Sequence, residues 1–384
     1  MILHTLIDYD TLRVIWWGLL GVLLIGFAVM GGFDLGVGAM LPFVAKTDLE
    51  RRVVINSIGA TWEGNQVWLI LAGGAIFAAW PHLYAISFSG FYLAMFAVLF
   101  ALILRPVGFK YRSKLESPRW RSGWDAALCV GGVVPALIFG VALGNVLLGV
   151  PYRLDDDLRI FYDGSFLGLL SPFALLCGVV SVAMLVMHGA SWLQLKTEGV
   201  VAARARAVGM AAALLMVVLY ALAGYVLWSF IDGYRITSDI NPGGPSNPVQ
   251  KTVELVAAGW FANYQQHPWT LLAPGLGLLG GLGVFVLLFL RMNGAAFVAG
   301  ALAIAGVIGS IGASMFPIIL PSSVQPNSSL AVWDASSSHL TLFIMLVVTV
   351  FFMPIIVAYT TWVYRVLWGK VSPADISDES KHAY

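Results

Sequence analysis

Charge is what this sequence has least of. Of its 384 residues, 21 are Lys or Arg and 20 are Asp or Glu, 11% in all, where a soluble domain carries about a quarter. No water-facing surface can be built from so few charges, so lipid must solvate most of the chain. The net charge of +1 gives no basic field, and no nucleic-acid partner is expected. There are two cysteines, Cys129 and Cys177, each inside an apolar run and without Cys or His at ligand spacing. That excludes a disulfide framework and a structural zinc site. Walker A, HExxH and strand-linked GxGxxG motifs are missing too. No break is long enough to separate a soluble domain.

What is there is apolar: 59% of residues are hydrophobic and mean hydropathy is +0.86. A spanning helix needs roughly 20 mostly apolar residues. Nine segments qualify, near 12–34, 62–80, 83–104, 124–144, 165–187, 207–229, 270–290, 295–316 and 339–362. The expected fold class is all-α: an integral membrane protein of about nine transmembrane helices in helical bundles, one polytopic domain over 1–384. The first apolar run lacks a basic flank and a small-residue cleavage site, so it reads as a retained helix. It can continue to Val44 as a helix projecting past the membrane. Pro81 and His82 make a tight turn between spans two and three. The longest breaks, 145–164, 230–269 and 317–338, are rich in Gly, Pro, Asn, Asp and Ser and read as turns.

Basic residues set the orientation. Sixteen of the 21 Lys and Arg follow odd-numbered spans, among them Lys46, Arg51, Arg105, Arg112, Lys196, Arg365 and Lys381. The other side holds Arg13, Arg153, Arg159, Arg235 and Lys251, with the acidic run Asp155, Asp156 and Asp157. The N-terminus is expected outside and the C-terminus in the cytoplasm.

Two carboxylates mark the spans: Asp34 in GGFDLGVG and Glu63 in TWEGNQVWLI. A charge at the bilayer centre costs about 2.5–3.5 kcal/mol on insertion scales. Both belong to cytoplasmic ends of adjacent spans, at similar depth, and Gln66 lies one turn beyond Glu63. With Asn65 they outline a polar route inward from the cytoplasm. A second reading stands beside it. A Glu in the first turn suits the helix macrodipole, and Thr61 can cap span two. The glycines around Asp34 suit close helix packing, although packing does not explain a carboxylate among them.

Haem in a bundle needs facing axial side chains. His4 and His382 are terminal, His82 and His267 sit in loops beside prolines, and His188 and His339 fall at opposite faces. No haem ligand is expected from this chain. Its 14 Trp, 13 Tyr and 22 Phe lie mostly near span ends, as an interfacial belt or as a quinone or lipid groove near Trp62.

GFDLGVG at 32–38 and INSIGATWEGNQVWLILAGGAIFAAWP at 55–81 resemble subunit II of cytochrome bd-type quinol oxidases. So do FSGFY at 88–92, RPVGF at 105–109, FGVALGNVLLGVP at 139–151, IDGY at 231–234, and the MFP, ILPSS and WDASSSHLTL segments of 315–342. The resemblance runs the length of the chain. Glu63, where other members have Asp, is similar to the cyanide-insensitive branch. The resemblance implies a bacterial inner-membrane, multi-pass subunit paired with a homologous subunit I that holds two b-type haems and haem d. It also implies lipid contact and, in some complexes, a small single-span accessory subunit. The complex would oxidise quinol, reduce dioxygen to water with cytoplasmic protons, and build proton-motive force without pumping. Subunit II would supply no haem ligand, bind a quinone structurally and contribute acids to a proton route. Those acids fall here on Asp34 and Glu63. The resemblance further implies an acid two or three positions before Asp34, where this chain has Gly31 and Gly32 preceded by Met30. Two rivals remain: a purely structural or assembly subunit, and a secondary transporter, which would place charge at mid-span rather than at one end.

Overall fold

The computed structural model describes residues 6–377, apart from the side chains of Asp375 and Ser377. His4, Lys381 and His382 lie outside the described residues. The described residues are mainly helical, with thirteen α-helices: α1 (Tyr9–Val44), α2 (Asp48–Gly59), α3 (Trp62–Ala79), α4 (Pro81–Gly90), α5 (Tyr92–Tyr111), α6 (Pro118–Leu148), α7 (Pro172–Lys196), α8 (Gly199–Phe230), α9 (Ala262–Gln266), α10 (Leu272–Phe289), α11 (Asn293–Met315), α12 (His339–Val366) and α13 (Pro373–Ser377). Eight of them, α1, α5, α6, α7, α8, α10, α11 and α12, are long and apolar enough to cross a membrane. The ninth expected crossing is α3, whose first turns carry Glu63, Asn65 and Gln66 and so fall short on hydropathy. The crossings alternate between two ends. At the basic end lie the C-terminus of α1, α2, and the α5–α6 and α7–α8 turns. The C-terminus of α12 is there too, where Lys196 Nζ donates to the Leu367 carbonyl at 2.7 Å. The far end holds Tyr9 and His339, whose rings stack at 5.3 Å.

At 36 residues, α1 is roughly 54 Å long at 1.5 Å per residue, beyond the ~30 Å hydrocarbon core, and it does project past the span. It is the central post, packed on α3, α6, α7 and α11. Glycine makes the close crossings possible. A Cβ at Gly36 would run into the Leu185 carbonyl of α7, and one at Gly132 of α6 would run into the Leu35 carbonyl of α1. Asp34 therefore sits on the stretch of α1 that its neighbours approach most closely.

Span three is interrupted: α4 ends at Gly90 and α5 begins at Tyr92, with Phe91 between them. The three long breaks are more ordered than their turn-rich composition suggests. They form antiparallel hairpins β1 (Tyr152–Leu154) with β2 (Ile160–Tyr162), β3 (Gly233–Ile236) with β4 (Val253–Val256), and β5 (Ile318–Leu320) with β6 (Leu330–Ala331). Buried polar bonds knit these into a cap over the far end. Tyr152 donates to the carbonyls of Leu320 (2.8 Å) and Ser328 (3.0 Å). Arg13 donates to Ser336 Oγ (2.7 Å) and the Pro242 carbonyl (2.5 Å). Lys251 Nζ meets Asp334 Oδ2 at 2.7 Å.

At the basic end, α2 is started by a capping box of Thr47 and Glu50. The Lys46 backbone N–H holds the Glu50 carboxyl below the usual carboxylate range, helped by Thr47 and Arg204. Asp125 of α6, itself buried, accepts from Arg112 Nε at 2.5 Å and from Arg51 Nη1 at 2.7 Å, and Asp48 bridges Arg112 and Arg121. This network clamps α2 to α6, so α2 becomes a fixed floor beneath Asp34.

Candidate functional site

Asp34 is 1% exposed and Asn65 2%. Asn65 Nδ2 donates to Asp34 Oδ2 at 2.9 Å, and the Tyr364 hydroxyl donates to Asn65 Oδ1 at 2.7 Å. Three helices thus meet through one carboxamide: α1, α3 and α12. Desolvating a carboxylate is expensive unless it is paired or bonded. The charge opposing Asp34 is the guanidinium of Arg105 on α5, 4% exposed. Arg105 also lies over the Trp62 ring, 5.6 Å from its centroid, and Trp62 stacks on Phe109 at 5.0 Å. At the charged pair two atoms are left over, Asp34 Oδ1 and Arg105 Nη2, and the Trp62 indole Nε1 is likewise buried without a protein partner.

The residues expected from sequence divide. Asp34 and Asn65 come together. Glu63 does not join them; it is exposed, with Gln66 half-buried beside the same face. The reason is helical phase. Glu63 and Asn65 are two residues apart, about 200° around a helix. The buried line of α3 runs Asn65, Ala72, Ala79, so a helix that turns Asn65 to α1 turns Glu63 away. Of the two carboxylates expected at similar depth, only Asp34 is in the interior, bonded by Asn65. The second reading holds in part: Glu63 does lie in the first turn of α3. The Thr61 side chain makes no cap bond, and its hydroxyl donates to the Ile58 carbonyl at 3.3 Å. Arg105 and Tyr364 were missed as site residues. Arg105 reads as one more basic flank, and Tyr364 as belt, because only the fold brings span nine to span two.

An apolar groove of about 670 Å³ opens beside Tyr364, between α12 and the bundle, lined by Phe33, Trp68, Trp192, Phe297 and Val357, with Arg365 and Trp368 at its rim. That size is typical of sites for ligands of several hundred daltons. Trp62 does not line this groove; it is buried, with the Arg105 guanidinium 5.6 Å from its ring centroid. His188 is buried near the groove. Its Nε2 lies 3.1 Å from the Val29 carbonyl and its ring stacks on Phe297 at 4.5 Å. His339 Nε2 lies 2.8 Å from the Ile7 carbonyl at the far end, so the two are separated as expected. Among the described residues no cluster of three His, Cys, Asp or Glu could hold a metal ion.

Residues 12–367 match the model of the family described as cytochrome bd terminal oxidase subunit II. The chain is 49% identical over 381 residues to the cytochrome bd-I ubiquinol oxidase subunit 2 of Escherichia coli, covering 99% of this chain and all of that one. It is 30% identical over 364 residues to the cytochrome bd ubiquinol oxidase subunit 2 of Bacillus subtilis, covering 94% and 97%. The solved bd oxidase of Geobacillus thermodenitrificans contains a chain of similar fold, with TM-score 0.67 and 17% identity over 93% of this chain and 98% of that one.

Proposed function

The chain belongs to the cytochrome bd terminal oxidase subunit II family, and from that premise we propose that it handles protons through Asp34. It is a multi-pass protein of the bacterial inner membrane and a member of a quinol oxidase complex, whose partner is a subunit I. In our reading the basic end faces the cytoplasm, and b-type and d-type haems reside in subunit I, where they supply the electron transfer and dioxygen chemistry. Dioxygen reduction to water consumes protons, which have to be delivered through low-dielectric protein. A buried carboxyl near the cytoplasmic end, held but not fully satisfied, suits that task. Asn65 fixes one oxygen of Asp34, Arg105 supplies the countercharge, and the second oxygen stays free to take and give a proton. Glu63 and Gln66, on the outward face of α3, would gather protons at the rim rather than pair with Asp34.

The observation that carries this reading is the orphaned Oδ1 of a carboxyl that is 1% exposed. The test is oxygen uptake by the intact complex carrying Asp34→Asn, with the haem spectrum as the assembly control. A decline of at least tenfold with normal haem content supports it. A purely structural subunit is the second reading, favoured by the glycine crossings that hold Asp34 in place; it expects normal turnover whenever haem is retained.

The groove beside Tyr364 fits a structurally bound quinone. Its walls are aromatic and aliphatic, as an isoprenoid tail requires, and Arg365 offers donors at one end. In this chain such a quinone would be held by Phe33, Trp192 and Phe297. A lipid chain would fit the same walls. Ubiquinol as the substrate is the reading suggested by the names of the two relatives, and neither name carries the cyanide-insensitive designation that Glu63 suggests. A small single-span accessory subunit remains part of the proposal for the whole complex.

A further inference from the structure

Beneath Asp34 lies a small, partly open space between α1, α2, α5 and α6, bounded among others by Asp34, Gly38, Leu41, Val54, Arg105 and Leu128. Its volume, counted as room for water centres, is about 10 Å³, close to the roughly 10–15 Å³ that one water needs. The two residues that own the orphaned atoms, Asp34 and Arg105, both line it, and the rest of the wall is apolar or glycine. We propose that this cavity is a one-water site. The water bridges Asp34 Oδ1 to Arg105 Nη2, and it, rather than Asn65, is the partner with which the carboxyl exchanges its proton. This rests on the proton-handling reading of Asp34.

The chemistry of the two orphans selects the occupant. Arg105 Nη2 can only donate, and ionised Asp34 Oδ1 can only accept. The bridging group must accept from one and donate to the other, and water does both in one molecule. A halide has no donor for the carboxylate, and a metal cation has no acceptor for the guanidinium. Leaving a buried polar group unsatisfied costs about 1–3 kcal/mol, and more when it is charged, so satisfying both orphans favours occupancy. Asn65 cannot substitute. Its amide holds Oδ2 by an N–H that does not titrate, so it orients the carboxyl and passes no proton. The exchange step breaks and forms only O–H bonds: as the water gives a proton to Oδ1 it takes one from hydronium at the cytoplasmic side, and no electron moves.

α2 forms the floor, and Val54 lines the space, so a methylene added there is expected to enter it. In a map of the intact complex at about 2 Å resolution, a density peak is expected within hydrogen-bond distance of both Asp34 Oδ1 and Arg105 Nη2. A closed Asp34–Arg105 ion pair, or no peak, overturns the site. Val54→Ile should expel the water and slow oxygen uptake several-fold with the haem spectrum unchanged. If the water is expelled and turnover stays at the wild-type rate, the exchange role is overturned. If Val54→Ile fails to assemble, the wild-type map still decides occupancy, and infrared spectra of the wild-type complex decide the exchange. There the Asp34 carbonyl band should shift down on a change to D₂O, and an unshifted band overturns the role. Failure of the parent reading looks different: Asp34→Asn at the wild-type rate with the peak present leaves a structural bridge and no proton role.

Discussion

Asn65 Nδ2 donates to Asp34 Oδ2 at 2.9 Å, while nothing else in the described protein bonds the other oxygen of that carboxyl. The relationship is asymmetric by construction. One oxygen is fixed by an amide that cannot titrate, and the other is buried without a protein partner. Asn65 is itself aimed by Tyr364, 299 residues further along the chain.

That geometry predicts how the amide should respond to substitution. Asn65→Leu removes the donor to Asp34 and the acceptor for Tyr364, leaving a buried carboxylate less satisfied. Oxygen uptake by the assembled complex should fall several-fold. Tyr364→Phe removes only the outer link, so turnover should stay within about twofold and thermal stability should drop by about 1 kcal/mol, an ordinary hydrogen-bond contribution. Equal losses of turnover in the two variants would show that Asn65 does not act through Asp34.

Glu63 makes a contrasting case. It is exposed on the outward face of α3 and shares no bond with Asp34, so an acid there serves as one of several possible entry groups. Glu63→Gln should retain haem and cost less than a threefold slowing of oxygen uptake at pH 7, much less than Asp34→Asn. A tenfold loss at Glu63 with an unaffected Asp34 variant would reverse the assignment of the two carboxylates.

The Lys251–Asp334 pair in the far-end cap carries a pH signature. Burial is the largest influence on both: it pushes the Asp334 carboxyl up, with Lys251 opposing, and pushes the Lys251 ammonium down, with Asp334 opposing. Lys251→Met leaves a buried carboxylate without its cation, which costs about 3–5 kcal/mol for pairs of this kind. Because the folded pKa of Asp334 lies above its unfolded value of 3.8, its stabilising contribution is fully present below that unfolded value and is lost as pH rises through the folded one. The thermal deficit of Lys251→Met should therefore shrink between pH 7 and pH 5, and the double variant Lys251→Met, Asp334→Leu should recover most of it. A deficit independent of pH would sink this account of the pair.

Orientation is tested by thiol labelling in intact cells. A cysteine introduced near Asp156 should react with an impermeant reagent, and one near Lys114 should react only after lysis. The opposite pattern would move the proposed proton entry to the outer face.

Much of the fold is legible in the sequence because a membrane leaves few choices. Twenty apolar residues must be a helix, and the basic flanks alternate with every crossing, so spans and ends follow from composition. Phase is harder to read. Glu63, Asn65 and Gln66 are adjacent in the sequence, and only the buried line through Ala72 and Ala79 shows that Asn65 is the inward one. Small residues at that spacing were the available signal. Arg105 is invisible for another reason: a basic residue at a span end is expected to face headgroups, and only packing against Trp62 and α6 keeps this one from doing so. The far-end hairpins escape because strands of two to four residues carry no periodicity.

The central claim is that Asp34 passes protons toward the oxygen-reducing site, and its most direct test is proton uptake in a single turnover. The fully reduced complex is mixed with oxygen, and a pH indicator follows uptake from the medium while absorbance follows the haems. With Asp34→Asn, the account predicts normal haem content and proton uptake slowed at least tenfold, about 1.4 kcal/mol on the barrier. Proton uptake at the wild-type rate in a fully assembled Asp34→Asn complex would contradict it.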